Sequence, residues 1–398
     1  MRPSSSSSEQ TCSGLLGRLP GDPNLDALID DAALLAAMLR FEAGLARCQA
    51  ALGVIPLDSS RVIQAVAKTA DYDVDELGSA AAESGNPVVP LVSWLARDVG
   101  AADVAASAHV HFGTTSQDVL DSALMMTAHA AVECLLEGLA VAADRVAGLA
   151  REHAQTLMTG RTLGQSAAPI TFGLKAIGWL DGLDAATARL TGSRARLAIQ
   201  LGGPVGTRAA YGEKADALAD ALAAELGLAV ARPWHTERSR VVELASALGQ
   251  TVAACAKIAA DVILLSQNEI GELSEQRKAG RGGSSSMPHK HNPIGSVLVR
   301  AAAAQTPGLV ATVLAAAVHD GERATGPWHA EWAPLRRLLH LAGGAVDGIA
   351  DVASGLQVHE SVMRQHVEGV GGAPLAHVTA AADLVHSALA GRPPRQAS

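Results

Sequence analysis

Apolar residues recur at steps of three and four from Leu120 through Leu124, Ala128, Ala131, Leu135, Leu139, Ala142 and Val146 to Leu149. That period predicts one helix of about eight turns, from about Ser116 to about Gln155. Similar stripes predict helices from Pro169 to about Leu201, Ala215 to Leu226, Arg240 to Glu275, Pro293 to Val318 and Trp332 to Ser354. Shorter helices are expected earlier: two segments between Leu25 and Gly53, then several over residues 59–108, interrupted at Gly85, Asn86 and Pro87. Breaks fall where glycine and proline gather, at Gly202-Gly203-Pro204-Val205-Gly206 and Arg232-Pro233-Trp234. Met158 to Arg161 reads as a loop. Strand-like alternation is nearly absent. Helices of this length pack in bundles, so the expected fold is all-α, a long-helix bundle.

The chain of 398 residues divides by pattern into four stretches. Residues 1–20 open with a serine run that lacks the apolar core of a signal peptide and read as a disordered tail. Residues 21–115 read as an N-terminal helical domain and residues 116–355 as the central bundle. Residues 356–398 read as a shortened C-terminal segment with one helix-like run, Ala376 to Leu389, and a disordered tail. A net charge of −9 without a basic stripe argues against a nucleic-acid partner. The apolar window Ala301 to Val318 contains Gln305 and Pro307 and is expected to be a buried bundle helix, not a membrane span. Cys12, Cys48, Cys134 and Cys255 form no CxxC pair and read as small buried hydrophobes, suiting a reducing cytoplasm.

Four polar clusters interrupt the helical pattern. The first is Ser84-Gly85-Asn86-Pro87. The second runs from His111 to Asp118, with Thr115, Ser116 and Asp118 also able to cap the long helix that follows. The third is Gly160-Arg161-Thr162-Leu163-Gly164-Gln165. The fourth is Gly280-Arg281-Gly282-Gly283-Ser284-Ser285-Ser286-Met287-Pro288-His289-Lys290-His291-Asn292-Pro293. Its glycines and prolines exclude a helix interior. Its hydroxyls, ammonium and carboxamide are equipment for gripping and deprotonating a small anion.

In this order and spacing the clusters resemble the fumarase/aspartase superfamily, whose Gly-Ser-Ser-x-Met-Pro-x-Lys-x-Asn-Pro loop is matched from Gly283 to Pro293. The resemblance covers about residues 20 to 360. It implies an all-helical homotetramer with a shared central bundle, each active site drawing on three subunits. Within the superfamily, Pro233-Trp234-His235-Thr236 and the string from Glu322 to Trp332 resemble the carboxymuconate cycloisomerase branch. Carried over by position, the resemblance makes Ser284 the catalytic serine. Lys290 and Asn292 then hold a substrate carboxylate, Thr115 and Ser116 form a second binding region, and Thr162 and Gln165 a third. Arg323 matches an arginine of the cycloisomerase branch. Ser284, Lys290 and Arg323 are the catalytic candidates; Asn86, Arg161, His235 and Arg238 join the substrate-binding candidates. For Arg161 and Arg238 a structural ion pair stands beside substrate contact as an alternative. His289 and His291 are expected to orient the loop, and His329 to be a hydrogen-bonded core histidine. No metal and no cofactor are expected.

Superfamily reactions are expected to pass through a carbanion beside a carboxylate, so preorganised donors must hold two negative charges on one group. Relatives that release fumarate commonly read Thr-His-x-Gln at the third cluster, where the histidine protonates a poor leaving group. Here the string is Thr162-Leu163-Gly164-Gln165. Losing a general acid costs about 10²–10⁴ in rate when an amine or hydroxide must leave. A carboxylate needs no such help. The string therefore argues for lactonisation, and the resemblance to the cycloisomerase branch implies ring closure of 3-carboxy-cis,cis-muconate, a tricarboxylate, to 4-carboxymuconolactone. An adenylosuccinate-type lyase and a non-catalytic homologue remain as alternatives.

Overall fold

The computed structural model describes residues 17, 19, 21–278, 282–283, 287, 290–369 and 375–392. Five long helices form the bundle: the 37-residue α7 (Ser116–Glu152) packs on α8 (Phe172–Arg194) and α12 (Pro327–Gly355), and α10 (Ser239–Leu265) and α11 (Ile294–Ala316) complete it. The α7 stripe read from sequence is its buried face: Leu120, Leu124, Ala128, Ala131, Leu135, Leu139, Ala142 and Val146 are all 5% exposed or less. Burying each such leucine stabilises the fold by about 1.5–3 kcal/mol. A capping box closes the α7 N-terminus, Thr115 and Asp118 each satisfying a backbone amide of the other.

A smaller helical layer precedes the bundle: α1 (Pro23–Ile29), α2 (Asp31–Ala51), α3 (Leu57–Thr69), α4 (Val74–Ser84), α5 (Val88–Ala102) and α6 (Val104–Ser107). α2 packs across α7 and α9 (Ala215–Leu226), with Phe41 and Leu45 buried beneath it.

Three expectations are corrected. Met158 to Arg161 is not a loop: β1 (Leu157–Thr162) pairs antiparallel with β2 (Gln165–Thr171), and α8 begins only at Phe172. α10 ends at Leu265, and Leu273–Ser274 forms a short strand, β3, paired with β4 (Gln357–Val358). A second C-terminal helix, α13 (Glu360–Gly369), precedes α14 (Leu375–Leu389).

α7, α10 and α11 are each long and apolar enough to cross a membrane. About half of the apolar window is buried inside the chain for α7 and α10, but only 22% for α11. The expected burial of residues 301–318 therefore does not occur within one chain. α11 packs on α10 and α12 along one face and leaves Val297 and Leu314 exposed on the other, with Val318 exposed just past its end. Cys48, Cys134 and Cys255 are free thiols, and burial raises the Cys255 thiol to about 12.

Candidate active site

The N-terminus of α7 lies at one end of the bundle and gathers three sequence-distant segments. Asp118, fully buried, accepts from the backbone amides of Gly202 at 2.9 Å, Gly203 at 2.8 Å and Thr115 at 3.2 Å. Its remaining donors are the Thr114 hydroxyl at 2.9 Å and His235 Nε2 at 2.8 Å. A buried carboxylate is tolerated when donors surround it in this way. The glycines are required by space: a Cβ on Gly202 would lie 2.5 Å from His235 Cε1, and Gly203 holds φ +70. The guanidinium of Arg323 donates to the Thr115 hydroxyl.

Below this cap lies a buried charged layer. Arg238 donates to Asp121 Oδ2 at 2.8 Å and Oδ1 at 3.1 Å, and also to Glu331. Trp328 Nε1 donates to Asp121 at 2.9 Å, and the Arg238 guanidinium lies 4.6 Å from the Trp234 ring centroid. Burial pushes the Glu331 carboxyl up to about 7; Arg238 opposes the rise and the Asp121 charge adds to it. Arg238 and His235, both candidates from sequence, thus face carboxylates of their own chain. Asp121 escaped sequence reading because it sits among the apolar residues of the α7 stripe. Its position three residues after Asp118 on a buried face was the available signal.

The first cluster reaches the same end. Asn86 caps α5, accepting from Val88 N at 3.1 Å, and His329 Nε2 meets the Gly85 carbonyl at 2.9 Å. His329 is exposed, not a core residue, and ties the Ser84–Pro87 turn to the start of α12.

The third and fourth clusters lie elsewhere. Thr162 and Gln165 face each other across the tip of the β1–β2 hairpin, with Leu163 at φ 51 and Gly164 at φ 80 in the two turn positions. Leu163 is fully exposed. Next to the tip, Arg161 forks onto the buried Glu272 at 2.8 and 2.7 Å, and His366 Nδ1 meets the same carboxylate at 2.7 Å. Glu275, a few residues on, accepts from the Gly295 and Ser296 amides at the start of α11. The Gly-Ser loop closes next to it: Gly283 bridges to His291, Asn292 N donates to the Gly282 carbonyl at 2.9 Å, and Lys290 is exposed. Ser284, Ser285, Ser286 and His289 lie outside the described residues.

The helices connect these two groups end to end. α10 starts beside His235 and Arg238 and finishes before Glu272; α12 starts beside Arg323 and Trp328 and finishes at β4. At 1.5 Å per residue, 27 residues of α10 separate the groups by about 40 Å. One chain therefore carries Asn86, Thr115, Ser116, His235, Arg238 and Arg323 at one end. It carries Arg161, Thr162, Gln165, Lys290 and Asn292 at the other.

Comparison with known proteins accords with the helical fold. Residues 27–308 match the family model described as Lyase. A protein of Bradyrhizobium diazoefficiens named 3-carboxy-cis,cis-muconate cycloisomerase is 44% identical over 90% of this chain and 80% of its own length. A Streptomyces davaonensis protein named nitrosuccinate lyase is 42% identical over 90% and 78%. The crystal structure of 3-carboxy-cis,cis-muconate lactonizing enzyme from Pseudomonas putida superposes with a TM-score of 0.85 at 36% identity, covering 96% of this chain and 84% of that one. The chain belongs to the lyase family of the fumarase/aspartase superfamily, among relatives named 3-carboxy-cis,cis-muconate cycloisomerase.

Proposed function

We propose that this chain is a cytoplasmic 3-carboxy-cis,cis-muconate cycloisomerase of protocatechuate catabolism, working without a cofactor as a homotetramer. A terminal carboxylate of the substrate attacks the carbon bearing the 3-carboxyl group. The π pair of that double bond moves to the neighbouring carbon, which is next to the other terminal carboxylate, and one proton is delivered there. Lys290 and Asn292 hold the doubly charged carboxylate, Ser284 assists the proton transfer, and Arg323 with Thr115 and Ser116 fixes the opposite end of the trianion. Thr162 and Gln165 close the pocket. Arg161, His235 and Arg238 hold its walls through their carboxylate partners.

The observation that carries this reading is Leu163. The hairpin tip offers an aliphatic side chain where a poor leaving group would need an acid, so the pocket suits a nucleophile or leaving group that is already a stable anion. Self-association is supported by the separation of about 40 Å between the two groups and by the exposed apolar face of α11, which meets a copy of this chain in this reading.

Leu163 also favours one second reading, elimination of a stable anion such as nitrite from a substituted succinate, given the relative named nitrosuccinate lyase. Purified protein is expected to abolish the ultraviolet absorbance of the carboxymuconate diene. Unchanged absorbance together with nitrite release from nitrosuccinate would replace the first reading with the second.

A further inference from the structure

We propose that His111 is a further substrate-binding residue, an imidazole that Glu42 orients so that its free nitrogen meets a substrate carboxylate beside Arg323. The inference rests on the tricarboxylate reading above and adds a cation to it. Arg161, Arg238 and His235 each face a carboxylate of their own chain, so of the site candidates named above Lys290 and Arg323 are the cations left for three substrate charges. His111 lies four residues before Thr115, in the same cap. Its Nδ1 is 2.5 Å from Oε1 of Glu42, a carboxylate on α2 that is 1% exposed. Among the described residues Nε2 has no hydrogen bond within the chain, and the ring keeps 18% of its surface open.

The backbone is built to place this ring. His111 adopts φ 57, a left-handed conformation that Cβ sterics disfavour. The next carbonyl, of Phe112, is held by Gln49 Nε2 at 2.8 Å and the Tyr211 hydroxyl at 3.2 Å. Three charged groups bear on the imidazole: Glu42 from α2, Asp118 from α7 and Arg323 from the segment before α12. Burial disfavours the charged ring, but Glu42 and Asp118 outweigh burial and Arg323, so the ring holds its proton above the usual histidine range. With Nδ1 taken by Glu42, the protonated ring offers Nε2–H as a charge-assisted donor.

The test follows the pH dependence of KM for carboxymuconate in the wild-type protein, Glu42→Gln, Glu42→Asp and His111→Asn. The wild-type KM should rise about tenfold as pH passes the His111 titration. Glu42→Gln should move that rise to lower pH, Glu42→Asp should restore it, and His111→Asn should remove it. A KM profile in Glu42→Gln that coincides with wild type overturns the proposal, because a pair that only ties α2 to the loop would not tune binding. Calorimetric titration of propane-1,2,3-tricarboxylate across the same pH range gives an independent reading. If wild type lacks turnover yet binds this probe with the His111-dependent profile, the reaction assigned above fails and the site stands. If binding ignores His111, the site fails.

Discussion

Arg323 and Thr115, 208 residues apart in sequence, meet through a guanidinium–hydroxyl hydrogen bond at the head of α7. The contact sets an exposed arginine against the helix N-terminus, where anions are already favoured by the helix dipole. Replacing Arg323 with Met should lower kcat/KM for carboxymuconate by about 10²–10³. Steady-state kinetics measure the loss. Circular dichroism should show an unchanged fold, since Arg323 is exposed.

Asp118 has the opposite character: it is buried and structural. Asp118→Ala leaves His235 and the Gly202 and Gly203 amides without their acceptor. Breaking a buried, fully bonded carboxylate in this way costs about 3–5 kcal/mol. Thermal unfolding is expected to show a large drop in Tm, and residual activity should fall with it. A Tm within a degree or two of wild type would remove Asp118 from this role.

Glu331 makes stability depend on pH. Its folded-state carboxyl titrates at about 7, above the ordinary 4.5, so the folded chain binds the proton more tightly than the unfolded chain. The associated stability is complete below about 4.5 and is lost as pH rises through about 7. Glu331→Gln keeps a neutral side chain at every pH. Melting curves from pH 5 to 8 should therefore fall with pH more steeply in wild type than in the variant. Parallel curves would contradict the assignment.

Leu163 occupies a left-handed turn position that glycine fills more readily. Leu163→Gly should hold or raise Tm by relieving about 1 kcal/mol of backbone strain. It should lower turnover by removing the side chain that shapes the pocket. Equal turnover in the two proteins would show that the tip does not reach the substrate.

The long helices were legible because a 3.6-residue apolar period over eight turns admits no other fold. Thr115, Ser116 and Asp118 were visible as a cap for the same reason. The β1–β2 hairpin was not legible. Its strands lack alternation, with an irregularity between Thr159 and Arg161, and its turn carries Leu-Gly instead of the Asn-Gly that marks such turns. α10 was read too long because Ile270 and Leu273 extend its apolar spacing past Ser266. Asp121, Glu272 and Glu42 were missed because a buried acid is recognised by its partner, and those partners lie 117, 111 and 69 residues away.

The central claim is that Arg323 and Lys290 serve one substrate from different chains, because α11 lies between them and sets them at opposite ends of the bundle. Mixing inactive Arg323→Met and Lys290→Met proteins under conditions that exchange subunits tests it directly. Random reassembly restores both groups in about a quarter of the pockets, so the mixture should regain about a quarter of wild-type activity. A mixture that stays as inactive as its two components would contradict the account.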